Sequence, residues 1–301
     1  VTDAYARLAT ESANPRTADL DVLATPDLVA RIFAEDAAVQ RACAAAAPAV
    51  ARVADAVAAA IRGGGRCVYA GAGTSGRLAT LDAVEWPPTF GTDPSLTVVL
   101  LAGGRDAMFA AQEGAEDDAE AGAAAVRGAN VSARDFLLGV TASGTTSYVL
   151  GALREARRRG AATGAVVCNA PPADFPADHV IHLDTGPEVL AGSTRMKAGS
   201  ATKMTLNAIS LAAMVRLGKV HGNRMVDLRV GSRKLADRAR RLVMEIGGAD
   251  AERADAALAA AGGRAKLAIL MVRRGVAADE ARRLLDAAGG SLRAALPEDG
   301  A

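Results

Sequence analysis

Val50, Val53, Val57 and Ile61 recur at intervals of three and four, the spacing of one helix face, and Gly63-Gly64-Gly65 ends the run. The pattern then changes. Arg66-Cys67-Val68-Tyr69-Ala70 is a short apolar run, followed by a glycine-rich turn, Gly71-Ala72-Gly73-Thr74-Ser75-Gly76-Arg77. Leu78, Leu81 and Ala83 resume a helical pattern as far as Pro87-Pro88. The alternation repeats: 96–101 reads as a strand closed by Gly103-Gly104, and 105–127 as an acid-rich helix. Phe136 to Val140 reads as a third strand, running into Thr141-Ala142-Ser143-Gly144-Thr145-Thr146 and a helix to about Arg159. Ala165-Val166-Val167-Cys168 and His179-Val180-Ile181-His182 read as two more strands.

Apolar strands alternating with helices are the pattern of a parallel sheet buried on both faces. The expected fold is α/β, a three-layer doubly wound parallel sheet. From about Ser232 the chain turns to charged and apolar residues in a 3.6-residue rhythm, broken at Gly262-Gly263, Gly275 and Gly289-Gly290. That tail predicts a small C-terminal helical appendage. The expected organisation is an N-terminal helical segment, 1–50, packing on the main domain or on a partner subunit, then the main domain, 51–232, then the appendage, 233–301.

Composition narrows the partners. A chain of 301 residues buries a substantial core unaided. Its 35 Lys and Arg nearly balance its 34 Asp and Glu, and only 3% of residues are aromatic. Both features argue against nucleic acid or an anionic membrane as the partner. The first fifteen residues hold Asp3, Arg7 and Glu11 and no apolar run, so they do not read as a signal peptide. The most apolar long segment, Met196 to Leu217, is interrupted by Lys197, Lys203, Asn207 and Arg216 and reads as a buried helix. Cys43, Cys67 and Cys168 show no CxxC spacing, which points to a reducing, cytoplasmic location. His179, His182 and His221 form no ligand cluster, so no metal is expected.

Gly71 to Gly76 satisfies GxGxxG between a strand and a helix. A dinucleotide site also needs an acid at the end of the second strand, and Val99-Leu100-Leu101-Ala102-Gly103 has none. A Walker A loop needs a Lys-Ser or Lys-Thr pair that does not follow. A second turn, Ser143-Gly144-Thr145-Thr146, likewise follows a strand and opens a helix. Backbone N–H groups at helix starts, with hydroxyls around them, make an anion cradle. The competing reading is that Thr74, Ser75, Ser143 and Thr146 merely cap helices. Two such turns on one sheet favour a small phosphorylated ligand.

These turns resemble the sugar isomerase (SIS) domain family, and four blocks are similar to the N-acetylmuramic acid 6-phosphate etherases within it. The blocks are Thr10-Glu11 with Asn14-Pro15; Gly71 to Arg77, continuing through Leu81-Asp82-Ala83 and Glu85 to Pro87-Pro88-Thr89-Phe90-Gly91; Glu113 to Asp117; and Gly186-Pro187-Glu188-Val189 with Gly192 to Gly199, extending to Gly218-Lys219-Val220 and Gly222-Asn223. The resemblance spans nearly the whole chain, and its last block is the most specific.

It implies cleavage of the D-lactyl ether of N-acetylmuramic acid 6-phosphate, giving N-acetylglucosamine 6-phosphate and D-lactate, in a homodimer with shared sites. By resemblance Glu85 is the proton donor and Glu116 the base, and no cofactor is needed. Thr74, Ser75, Gly76, Ser143, Gly144, Thr146, Glu188 and Ser193 are the expected substrate-binding residues. From the residues alone, Glu116 is indistinguishable from Glu113, Asp117, Asp118 or Glu120, and Glu85 reads as a solvated helix-end glutamate. Lys197 and Arg195 are candidates for an anionic group of the substrate or for a dimer surface.

Val84-Glu85-Trp86 departs from the family's Ser-Glu-Cys, and Thr145 and Ser147 stand where the family has Arg and Pro. A general acid needs apolar surroundings to keep its proton near neutral pH, and Trp86 is a candidate wall. Two alternatives remain open on the sequence: an aldose–ketose isomerase with Glu188 as its base, and a non-catalytic sugar-phosphate-binding regulator.

Overall fold

The computed structural model describes residues 8–228 and 233–296. Among them are two compact units: residues up to Ala83 with Ser95–Ser210, and Val84–Pro94 with the residues from Leu211 onward.

The first unit is built on five parallel strands, β1 (Cys67–Gly71), β2 (Thr97–Leu101), β3 (Phe136–Val140), β4 (Ala162–Val167) and β5 (His179–His182), in the order β2-β1-β3-β4-β5. Each lies where the apolar runs predict it, β4 starting three residues early and ending one residue short of Cys168. Every residue of β1 and β3 is buried, which is why neither strand alternates polar and apolar positions. Helix α1 (Thr25–Glu35) leads into α2 (Ala37–Arg62), which packs on β1, β3 and β5 through Val50, Val53, Ala54 and Val57. Helices α4 (Ala119–Gly128) and α5 (Ser147–Arg158) pack against each other and on the sheet, burying Val68, Ala70, Leu137, Val149 and Leu153 in one cluster. Helices on both faces make the expected three-layer, doubly wound arrangement, and the sheet core lies between them.

Three expectations need correction. Residues 25–62, rather than Met196 to Leu217, form the described segment whose length and apolarity match a membrane-spanning helix. Its α2 portion turns its apolar face to the sheet, as the core helix of an α/β domain does.

The helix α3 (Gly73–Phe90) does not stop at Pro87-Pro88 but runs through both. Pro87 lacks the N–H that would bond the Ala83 carbonyl. That carbonyl instead accepts from the Thr97 hydroxyl at 3.4 Å.

The acid-rich stretch 105–127 is not one helix. After a short 3-10 turn, Arg105–Met108, the chain runs as a loop until Asp118, whose carboxylate accepts from Ala121 N–H (2.8 Å) and starts α4. Gly114, at φ +73°, sits in that loop. The carboxylates at 113–117 are therefore on a loop rather than on a solvated helix face.

In the second unit, α3 ends at Phe90, and a two-residue hairpin, β6 (Val220–His221) with β7 (Arg224–Met225), follows helix α6 (Lys197–Arg216). The hairpin is too short to show a period and was not evident from the sequence. Helices α7 (Arg233–Gly247), α8 (Ala251–Ala260), α9 (Ala265–Arg274), α10 (Ala278–Ala287) and α11 (Leu292–Ala295) surround a core of Leu242, Val243, Ile269, Leu270 and Leu292. From α8 onward their breaks fall at the predicted glycine pairs and at Gly275, a left-handed C-cap, whereas the break between α7 and α8, at Gly248, was not among those expected. The expected boundary at 232/233 abuts residues 229–232, which lie outside the described residues.

Candidate active site

A sheet ordered β2-β1-β3-β4-β5 reverses direction between β1 and β3, and open α/β sheets bind ligands at the carboxyl ends of such a pair. Here Gly71, the last residue of β1, pairs with Val140, the last of β3. Both hydroxyl-rich turns leave from these two ends. A cleft of about 260 Å³ opens between them, lined by Thr74 and Ser75 from one turn and Ser143, Thr145 and Thr146 from the other. Glu116, Asp117, Glu11, Gly192 and Thr194 complete its polar wall.

Two glycines of the first turn, Gly71 and Gly76, serve packing. A Cβ on Gly71 would stand 2.8 Å from Gly76 Cα, and one on Gly76 would stand 2.8 Å from the Gly71 carbonyl oxygen. Strand β1 and helix α3 touch through these two residues, leaving Thr74 and Ser75 at the helix start to face the cleft. Gly76 itself is not among the lining residues. The second turn is held by its own hydroxyls. Thr141 Oγ1 lies 2.8 Å from Thr146 Oγ1, and Ser143 Oγ accepts from Thr145 N–H at 3.1 Å. Gly144, at φ +76°, donates its N–H to Thr141 Oγ1 (3.2 Å) and shapes the turn without lining the cleft. Thr146 occupies the N-cap position of α5, yet its side chain makes no capping bond. Its hydroxyl belongs to the turn rather than to the helix.

The structure sorts the acids that the sequence leaves indistinguishable and keeps Glu116 and Asp117 together at the cleft. Asp118 caps α4 and Glu120 pairs with Arg127. Glu116 and Asp117 line the cleft and also a neighbouring cavity of about 370 Å³ that contains Arg77 and Glu113, so they stand between the two. Glu116 is fixed through its backbone: its carbonyl accepts from Tyr148 N–H in the first turn of α5 at 3.0 Å.

Other expected residues are placed differently. Glu85 lies on an exposed position of α3 in the second unit and is not among the lining residues. Trp86 is 1% exposed, so it points into the interior while Glu85 points out. Adjacent helix positions do not face each other, and the expected Trp86 wall beside Glu85 is absent from this chain. Glu188 is wholly buried; its two carboxylate oxygens accept from Lys197 N–H and Ala198 N–H, both at 2.9 Å, and so hold the start of α6. Burial pushes its carboxyl pKa up, and the two N–H groups oppose that shift. Ser193 forms the turn before α6, donating to the Leu190 carbonyl (2.9 Å), while its neighbours Gly192 and Thr194 line the cleft.

Lys197 is held in a buried ion pair and does not line the cleft. It is completely buried, 3.1 Å from Glu35, and Glu35 also accepts from Arg16 at 2.5 and 2.8 Å and from Asn14 at 2.7 Å. The Arg16 guanidinium, with lesser help from Asn14 and Lys197, holds the Glu35 carboxyl at about 2. Arg195 is exposed and does not line the cleft. Sequence reasoning missed Glu11 and Thr194 as lining residues. Both stand inside blocks that carry the resemblance, which was the signal available for them.

A doubly wound sheet with two hydroxyl turns at its switch point defines an α/β domain with a small polar ligand cleft. The family model of the glucokinase regulatory protein N-terminal SIS domain matches residues 49–157. An N-acetylmuramic acid 6-phosphate etherase from Rubrobacter xylanophilus is 52% identical, over 97% of this chain and 96% of the relative. One from Mycolicibacterium smegmatis is 50% identical, over 96% of this chain and 97% of the relative. Among solved structures, a phosphoheptose isomerase from Francisella tularensis is 15% identical with a TM-score of 0.47, covering 64% of this chain and 98% of that one. The chain belongs to the N-acetylmuramic acid 6-phosphate etherase family.

Proposed function

We propose that this protein cleaves the D-lactyl ether of N-acetylmuramic acid 6-phosphate, releasing D-lactate and N-acetylglucosamine 6-phosphate. The observation that carries the reading is the convergence of both hydroxyl turns and Glu116 on one cleft, in a chain that matches etherases over nearly its full length. The hydroxyls and helix-start N–H groups at Thr74, Ser75, Ser143 and Thr146 hold the phosphate.

The chemistry is elimination and hydration. In the open-chain sugar the C1 aldehyde acidifies the C2 proton, and Glu116 removes it. The C3–O bond breaks as a general acid, Glu85, gives a proton to the departing lactate oxygen. Water then adds at C3 of the unsaturated aldehyde, and the C2 proton returns. Proton transfers between two carboxyl groups suffice for every step.

Glu85 reaches a cleft by assembly into a homodimer in which each site takes Glu85 from one copy and Glu116 from the other. The exposure of Glu85 beside exposed Leu81 and Val84 on α3 supports this reading, as does the exposed stripe Met204, Leu211 and Val215 on α6. The departures at Val84 and Trp86 then leave the reacting carboxyl itself unchanged. Three free thiols suit a reducing cytoplasm, where we place the enzyme.

The isomerase alternative needs Glu188 as a base, and both oxygens of that carboxylate are occupied at α6. Incubation with N-acetylmuramic acid 6-phosphate should yield equimolar D-lactate and N-acetylglucosamine 6-phosphate. A ketose phosphate, or binding without turnover, would overturn the proposal.

A further inference from the structure

Glu11 lines the cleft, yet the two-carboxylate scheme gives it nothing to do. It is carried there by a strap, the 3-10 turn Ala9–Glu11. Thr10, fully buried, donates its N–H to Asn169 Oδ1 (3.3 Å) and accepts from Asn169 Nδ2 at its hydroxyl (3.0 Å). The Thr10 carbonyl accepts from Gly192 N–H at 2.9 Å. Asn169 Nδ2 also donates to the Ala142 carbonyl (3.0 Å), one residue before Ser143. A single buried amide thus ties the strap to the second hydroxyl turn. Gly192 completes the seat: a Cβ there would stand 3.0 Å from Glu11 Oε2.

An ionised carboxylate can only accept hydrogen bonds. A phosphomonoester dianion and the lactyl carboxylate also only accept, so Glu11 bonds neither and repels both. The donors left on the substrate are the sugar hydroxyls and the acetamido N–H. Taking the etherase reading as its basis, we propose that Glu11 is a specificity-determining residue. It orients the amino sugar by accepting a hydrogen bond from a hydroxyl or amide N–H while the hydroxyl turns hold the phosphate.

The test is calorimetric titration at pH 8 of the wild type, Glu11→Gln and Glu11→Ala with two probes, N-acetylglucosamine 6-phosphate and methyl phosphate. Phosphomonoesters have a second pKa of about 6, so both probes are dianions, and only the sugar offers donors. Glu11→Ala should weaken the sugar phosphate about 10- to 100-fold, the range for a bond to a charged group. Methyl phosphate should bind unchanged or more tightly, because a repelling charge is gone. Glu11→Gln, which keeps a neutral acceptor, should fall between. KM should rise by the factor seen in sugar binding, with kcat held within about threefold. Unchanged sugar binding, parallel loss of both probes, or a kcat loss with sugar binding intact would overturn the proposal. A wild type that binds the sugar phosphate but releases no lactate would sink the etherase reading alone. One that binds neither probe would sink both.

Discussion

Glu116 owes its place to its backbone rather than to its charge. The carbonyl bond from Tyr148 N–H holds the loop against the start of α5, and the side chain is left free and exposed at the cleft. Replacing it should therefore remove chemistry without harming the fold. Glu116→Gln is expected to lower kcat by about 10²- to 10⁴-fold, the usual worth of a positioned base, and to abolish solvent deuterium exchange at C2 of the product. The melting temperature should stay at the wild-type value; a fall of many degrees would show that the loop depends on the carboxylate. At this scale the sequence was least informative. Glu113, Glu116, Asp117, Asp118 and Glu120 are alike in composition and spacing, and they are told apart by features of the fold: the N-cap at Asp118, the Glu120–Arg127 pair, the cavities they line and the Tyr148 contact at Glu116. Glu188 and Lys197 show the converse. Both sit in a specific motif and read as ligand-binding groups, but burial commits one to a helix start and the other to an ion pair.

Elements meet at this site with little tolerance. A Cβ on Gly122 of α4 would stand 1.9 Å from the Tyr148 carbonyl oxygen, and one on Gly151 of α5 would stand 1.9 Å from that of Ala119. The two helices touch backbone to backbone beside the loop that carries Glu116. Gly151→Ala must push them apart, at about 1–3 kcal/mol for overpacking. It should lower both the melting temperature and kcat, and a variant unchanged in both would contradict the contact. A second joint links α1 to α6 through Glu35. Its folded-state pKa, about 2, lies below the ordinary 4.5, so the group contributes stability that is fully present above pH 4.5 and is lost as pH falls through about 2. With the Arg16 side of the pair open to solvent, that contribution is on the order of 2 kcal/mol. Glu35→Gln also leaves the Lys197 ammonium buried and unpaired, so at pH 7 it should cost about 3–5 kcal/mol in a denaturant titration. The gap from wild type should narrow below pH 4. The strands and the breaks from α8 to α11 were legible because apolar runs and glycines mark them directly. The reach of α3 through Pro87-Pro88 was not, because the acceptor freed by Pro87 is satisfied by Thr97, a residue distant along the chain and close only in the fold.

For the whole molecule, the proposed sharing of sites makes a prediction that single-chain chemistry does not. Glu85→Gln and Glu116→Gln homodimers should each be inactive. Unfolded together and refolded as an equal mixture, they should regain about a quarter of wild-type activity, since half the dimers are mixed and each mixed dimer has one intact site. No recovery, with mixed dimers confirmed by an affinity tag carried on one variant only, would place both carboxylates on one chain. The near-neutral charge and scarcity of aromatic residues also fit the proposed function at this scale, in which a phosphorylated sugar is held by hydroxyls and backbone N–H groups and carboxylates move its protons. Turnover in heavy-oxygen water tests the elimination most directly. Label is expected in the C3 hydroxyl of N-acetylglucosamine 6-phosphate and not in the lactate hydroxyl. Label in the lactate alone would mean displacement at the lactyl carbon and would contradict the mechanism.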